Sequence, residues 1–192
     1  MNTDPRFIRS QQKLYQAIIE LASETPLEAI TVTAIANKAD VHRSTVYEHA
    51  TSAAQLLRQA IHQELDLLHT EHGINAIGDK TLESSVAEIL KYLEKRESLF
   101  QQMNKGTGAE IRDILRSHFI KSLNKIFETG SIQIPETKTQ IPYDALTHFT
   151  VFAITDMHVG IFAAALQMDK KYRSADVVTE MIRITSPYWI KW

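Results

Sequence analysis

The sequence predicts an all-α protein on three observations. Apolar residues recur at the 3.6-residue helical period along most of the chain, as at Leu14, Ile18, Leu21 and Ala22. Helix start and stop signals punctuate those runs, among them Asp4-Pro5, Thr25-Pro26 and Thr51-Ser52. No alternating apolar and polar run is long enough for a sheet, and there is no internal repeat.

Each element follows from local chemistry. Asp4 offers an N-cap carboxylate and Pro5 suits the first helical position, so helix one runs from there to Thr25-Pro26. Thr31 caps a short second helix that turns Val32, Ile35, Ala36 and Ala39 inward. Asp40 and Val41 form a tight turn, where Asp tolerates left-handed backbone less easily than Gly but better than a β-branched residue. A third helix turns Val46 and Ala50 inward, leaving His42, Arg43, Ser44, Thr45, Glu48 and His49 exposed. Thr51-Ser52 opens a long fourth helix through Leu56, Leu57, Ile61, Leu65 and Leu68 to near Gly73. Beyond a loop with Gly78, helices are expected over 82–95 and 97–104, then a break at Lys105 to Gly108. Ala109 to Thr129 carries Ile111, Ile114, Leu115, Phe119, Leu123, Ile126 and Phe127 on one face. A loop from Gly130 to Pro142 precedes helices over Tyr143–Met168 and Ser174–Ile190, with Pro187 bending or ending the latter.

With 192 residues, roughly 70% of the unfolded surface can be buried, so no disulfide or structural metal is required. The absence of cysteine excludes thiolate chemistry and suits a reducing compartment. The first residues lack the apolar run of a signal peptide, and Asp156 interrupts the longest apolar tract, Phe149 to Leu166. A soluble, cytoplasmic protein with no membrane partner is expected. Net charge is -2, which argues against general attraction to nucleic acid. Met1 to Arg58 is neutral, with six Lys/Arg against six Asp/Glu. Its charges are segregated, however: Arg6, Arg9 and Lys13 share one helical face, and Glu20, Glu24 and Glu28 lie at the other end.

Ala34 to Ala50, "AIANKADVHRSTVYEHA", has the spacing of two helices joined by a tight turn, the shape that enters a DNA groove. Arg43 stands at the start of its second helix, where a guanidinium can address guanine through two parallel hydrogen bonds. Ser44 and Thr45 suit bases or phosphates, and Tyr47 and His49 suit phosphates. Near pH 6, His42 and His49 would add positive charge there.

The segment "ITVTAIANKADVHRSTVYEHATSAAQLL", Ile30 to Leu57, resembles the DNA-binding segment of TetR/AcrR-family transcriptional regulators. Thr31, Ile35-Ala36, Ala39, Val41, Thr45, Tyr47, His49 and Leu56-Leu57 carry the likeness, and "LYQAIIELASETPLEA" fits the preceding helix. The resemblance implies residues 1–51 as a three-helix DNA-binding domain and 52–192 as a larger helical domain for effector binding and dimerisation. It implies a homodimer, a palindromic DNA operator, and a repressor released by an unidentified small-molecule effector. The DNA-contacting residues would be Thr31, Thr33, Arg43, Ser44, Thr45, Tyr47 and His49. Asp40, Ala50 and Ala53 stand where the family pattern has Gly, an aromatic residue and Lys, so one phosphate contact is lost. That loss, with exposed Glu48, keeps open a co-activator or modulator that acts through a protein partner.

In the larger domain, Gly160, Ala163, Ala164 and Ala165 permit close helix approach, and Val177, Val178, Met181, Ile182 and Ile184 line the final helix. The last two helices are therefore expected to form the dimer interface. Phe100, Met103, His118, Phe119, Phe152 and Asp156 are candidates for an effector cavity, with a buried Asp156 in need of a partner. His62, Asp66, His69 and His72 have chelating spacing but no further ligand at comparable spacing, so neither metal nor cofactor is expected. No phosphate loop, nucleophile elbow or H-E-x-x-H motif is present, and no enzymatic activity is expected.

Overall fold

The computed structural model describes residues 4–71, 79–104, 108–128 and 142–185. Among these the chain is all-α, with no strand. The helices are α1 (Pro5–Glu24), α2 (Val32–Ala39), α3 (Arg43–His49), α4 (Ala53–Glu71), α5 (Asp79–Lys95), α6 (Glu97–Gln101), α7 (Ala109–Glu128), α8 (Tyr143–Ala165) and α9 (Ala175–Thr185). Single 3-10 turns occur at Leu27–Ala29, Gln102–Asn104 and Lys170–Tyr172. The expected features at Gly73, Gly78, 105–107, 130–141 and Pro187 lie outside the described residues, as do His72 and the side chains of His69 and Ile126.

The chain divides into two compact units, Met1–Asp66 with Arg96–Ile114, and Leu67–Lys95 with Leu115–Trp192. In the first unit, the Asp4 carboxylate accepts from the Arg6 N–H at 2.8 Å and starts α1. The Thr31 hydroxyl accepts from the Ala34 N–H at 3.1 Å and starts α2. At α4, Ser52 Oγ accepts from Gln55 N–H while Gln55 Oε1 accepts from Thr51 N–H and hydroxyl, a reciprocal cap. α1 packs on α2, α3 and α6. Leu14, Ile18, Ile35, Leu56, Leu57, Ile61, Leu99, Phe100, Met103 and Ile114 fill the core between them. Half-buried ion pairs, Arg96–Glu64 at 2.6 Å and Arg58–Glu110 at 3.4 Å, link its segments.

Asp40 closes α2 in left-handed backbone, φ 53° and ψ 55°, and is the one non-glycine residue with positive φ among those described. Its N–H and that of Val41 return to the carbonyls of Asn37 and Ala36 at 3.3 and 3.0 Å. Gly108 illustrates the opposite constraint. A Cβ there would lie 2.2 Å from the Gln102 carbonyl oxygen and 2.4 Å from Met103 Cα. Both obstacles are backbone, so no side chain can swing aside.

The second unit packs α9 against α5 and α8. Leu123 and Phe127 of α7 cluster with Val151 and Ile154 of α8, and Phe119 stacks parallel to Phe162 with centroids 6.0 Å apart. Buried Arg173 ends α8, donating from Nη2 to the Leu166 and Met168 carbonyls at 3.0 Å each. By length and composition α8 could cross a membrane. It nevertheless has two unlike sides: Val151, Ile154, Thr155, Val159 and Phe162 are buried, while Phe149, Asp156, Gly160 and Ala164 are exposed.

Two substitutions test these backbone constraints by chemical denaturation. Asp40→Gly should stabilise the protein by about 0.5–1 kcal/mol by removing the left-handed penalty. Gly108→Ala should destabilise it by about 1–3 kcal/mol through overpacking against the main chain.

Candidate nucleic-acid interface and buried polar groups

The left-handed turn fixes the rotational phase of α3. Its outward side carries exposed Arg43, Ser44, Tyr47 and Glu48, with Tyr47 56% accessible, while Thr45 is half-buried. Thr31 and Thr33 are exposed at the start of α2, Thr31 with its hydroxyl engaged in the cap. Arg43 stands in the first turn of α3, as expected from sequence.

His49 lies elsewhere than expected. Its position three residues after Val46 puts it on the inward stripe, where it is 9% accessible rather than exposed. The ring lies over Phe7 with centroids 4.0 Å apart, and Nε2 is 2.8 Å from Ser10 Oγ. Burial pushes the His49 pKa below the ordinary 6.5, and the adjacent Glu48 only partly opposes this. The expected charging of His49 near pH 6 is therefore corrected: desolvation disfavours its cation. Phe7 and Ser10 were not singled out from sequence, although a hydroxyl on the inner face of α1, four residues before Leu14, calls for a polar partner.

Charge is arranged more sparingly than residue counts suggest. Lys13 Nζ lies 3.7 Å from Asp40 Oδ2, and Lys38 Nζ lies 2.8 Å from Glu20 Oε2. The Lys38 ammonium hydrogen bond lowers the Glu20 pKa, and Glu20 in turn raises that of Lys38. Among the described residues, Arg6, Arg9 and Arg43 make no ion pair. A cleft of about 420 Å³ separates the first turn of α1 from the turn and α3, lined by Asp4, Arg6, Phe7, Ser10, Val41, His42, Thr45 and Glu48.

The expected effector residues do not form one group. Phe100 and Met103 are core residues of the first unit, 0% and 1% accessible. His118, Phe119, Phe152 and Asp156 belong to the second. There His118 and Phe119 are buried, and the ring of half-buried Phe152 lies 5.1 Å from the Arg116 guanidinium carbon and 4.5 Å from His148. Asp156 was expected to be buried and is exposed. It faces outward on α8 and takes Arg116 as a two-pronged partner, Nε–Oδ1 at 2.6 Å and Nη2–Oδ2 at 3.0 Å.

The sequence reading also passed over His158, one turn before Phe162. The residue is half-buried, but its Nε2 is shielded from solvent and has no hydrogen-bond partner, and the ring meets Phe119 edge-on at 6.4 Å. Burial pushes its pKa down to about 4. Protonation therefore favours the unfolded chain. Stability should be full above pH 6.5, decline as pH falls toward about 4 and level off below. The loss attributable to this one group is at most about 3 kcal/mol. Urea denaturation across that range should show a shallower decline for His158→Phe than for the unmodified protein.

No family model and no curated protein matches the sequence. Solved structures do match the fold. A dihydroxyacetone kinase operon activator is 14% identical, over 96% of this chain and 99% of that one, with a TM-score of 0.62. A protein of Listeria innocua is 18% identical over 98% and 94%, with a TM-score of 0.70. The Thermus thermophilus TetR-family repressor FadR, in complex with lauroyl-CoA, is 14% identical over 95% and 96%, with a TM-score of 0.58. This chain has the fold of TetR-family transcriptional regulators, which comprises an N-terminal helix-turn-helix domain and a helical C-terminal domain.

Proposed function

We propose that the protein is a cytoplasmic, TetR-like DNA-binding transcriptional regulator, a repressor released from a palindromic operator by a small-molecule effector, and not an enzyme. The observation that carries this reading is the outward row Arg43, Ser44 and Tyr47 on α3, directly after the left-handed turn at Asp40. Residues 1–51 read the DNA, with Thr31, Thr33 and Thr45 beside that row; Arg43 addresses base edges and Thr31, Thr33 and Tyr47 address the backbone. His49 acts from within, since its ring is buried.

Residues 52–192 dimerise and hold the effector. Exposed Phe149, Gly160 and Ala164 on α8 and exposed Met181 and Ile184 on α9 support a homodimer through the last two helices. At Gly160 even an added Cβ would meet nothing within 4 Å, leaving room for a second copy. The effector site is drawn from the second unit, around His118, Phe119, Phe152 and His158. The fold likeness to a repressor that binds lauroyl-CoA supports an effector-released repressor. Two third helices about 34–36 Å apart would fit successive major grooves. An effector that prefers the non-DNA form a hundredfold shifts the balance by about 2.7 kcal/mol. A co-activator acting through a protein partner is the second reading, favoured by exposed Glu48 and the internal pairing of Lys13 and Lys38.

Selection of genomic fragments by the purified protein should recover a palindrome, and recovery of none would transfer the assignment to the co-activator. On the recovered operator, Arg43→Ala should cost about 1–3 kcal/mol and erase the preference over random DNA. Lys38→Ala should leave binding nearly unchanged, because its charge is already engaged by Glu20. With Arg6 and Arg9 of each copy placed on phosphates, the plot of log affinity against log salt should have a slope on the order of -4.

A further inference from the structure

We propose that His49 is a positioning residue for DNA recognition: through Ser10 and Phe7 it latches the first turns of α1 to α3 in its neutral form, so that acidification weakens operator binding. The proposal rests on the DNA-binding reading above and goes beyond it in the mechanism and the pH sign it gives to His49.

The hydrogen bonds determine where the proton sits. Ser10 Oγ donates to the Phe7 carbonyl at 2.9 Å, which uses the only proton that hydroxyl has. The 2.8 Å contact between Ser10 Oγ and His49 Nε2 must then run the other way, with Nε2–H donating. His49 Nδ1 carries a lone pair, is buried, and has no partner among the described residues. The imidazole is thus fixed in one tautomer and packed over Phe7 at an interplanar angle of 31°. A second proton would have to go on Nδ1, where an N–H would be buried without an acceptor.

The latch spans 39 residues of sequence and joins the two elements that flank the cleft. α1 brings Arg6 and Arg9 and α3 brings Arg43, which among the described residues are the cations of α1 to α3 that make no ion pair. Asp4 and Arg6 face the cleft from α1, and His42 and Glu48 face it from the turn and α3. On the α4 side the neutral Gln59 amide donates to the His49 carbonyl at 3.4 Å. No carboxylate among these groups is hydrogen-bonded to Nδ1 to stabilise a cation. If His49 instead contacted phosphate, protonation would strengthen binding, so the two roles predict opposite signs.

The test compares operator affinity of the unmodified protein and of His49→Phe from about pH 8 to about pH 5. Phenylalanine keeps the stack on Phe7 but has neither the hydrogen bond nor a titrating group. Using the ratio of the two affinities cancels every other pH-dependent contribution, which both proteins share. The unmodified protein should bind about tenfold more tightly at the high end, the worth of one such hydrogen bond, and the advantage should vanish at the low end. Ser10→Ala should reproduce the loss at high pH and Ser10→Thr should restore affinity, with thermal melts verifying that each variant is folded. Nitrogen-15 NMR of the histidines should show protonated Nε2 and bare Nδ1 for His49 at neutral pH. A ratio that is constant or grows on acidification overturns the latch while leaving the regulator reading in place. Absence of operator binding by the unmodified protein at every pH overturns both.

Discussion

The left-handed residue at Asp40 is the constraint on which the outward row of α3 depends. α3 has only seven residues, too few to persist as an isolated helix, so its form and direction come from what holds it. The N–H groups of Asp40 and Val41 return to the end of α2, and Val46, His49 and Ala50 anchor the inner side of α3. Successive residues are about 100° apart around a helix. Once the turn is fixed, Arg43, Ser44 and Tyr47 are obliged to point away from the core. A slip of one residue would put Ser44, Thr45 and Glu48, or His42, Arg43 and Val46, in that row instead. The turn thus holds the outward row in position despite the cost of left-handed backbone at a non-glycine residue.

The electrostatics of the first unit follow a different logic from a generally basic DNA-binding surface. Lys13, Lys38, Arg58 and Arg96 answer carboxylates of their own chain, which leaves Arg6, Arg9 and Arg43 as the available cations of α1 to α3. Such a surface gains little from nonspecific attraction. On the proposed DNA-binding reading, competing genomic DNA would hold it weakly as well, and discrimination would depend on how well the side chains are placed rather than on how many charges they carry.

The parts that could be read from sequence were those governed by near neighbours. Asp4-Pro5, Thr31, Asp40 and Thr51-Ser52 act within a few residues, and the helices begin where those signals place them. The inward stripes of α1, α2 and α7 are one-sided, so their phase was legible too. Asp156 was misplaced because α8 is apolar around most of its circumference, and periodicity then gives no clear phase. Its partner Arg116 is 40 residues away, a pairing set by tertiary packing alone. His49 illustrates the same limit within a short helix: a polar residue was assigned outward by type, whereas its place after Val46 and the hydroxyl of Ser10 send it inward.

Weak charge and internal fastening belong together. Any surface that binds DNA must give up freedom between its own contacting elements, and that cost falls on affinity unless folding has already met it. A protein rich in phosphate contacts can tolerate the cost, since each added charge offsets some of it. Here the available cations sit on two elements, α1 and α3, whose relative placement must be right for all of them to act at once. In the proposed latch, a neutral histidine packed against Phe7 and donating to Ser10 would supply that placement ahead of binding. It would do so without adding a charge that would need a buried counter-ion.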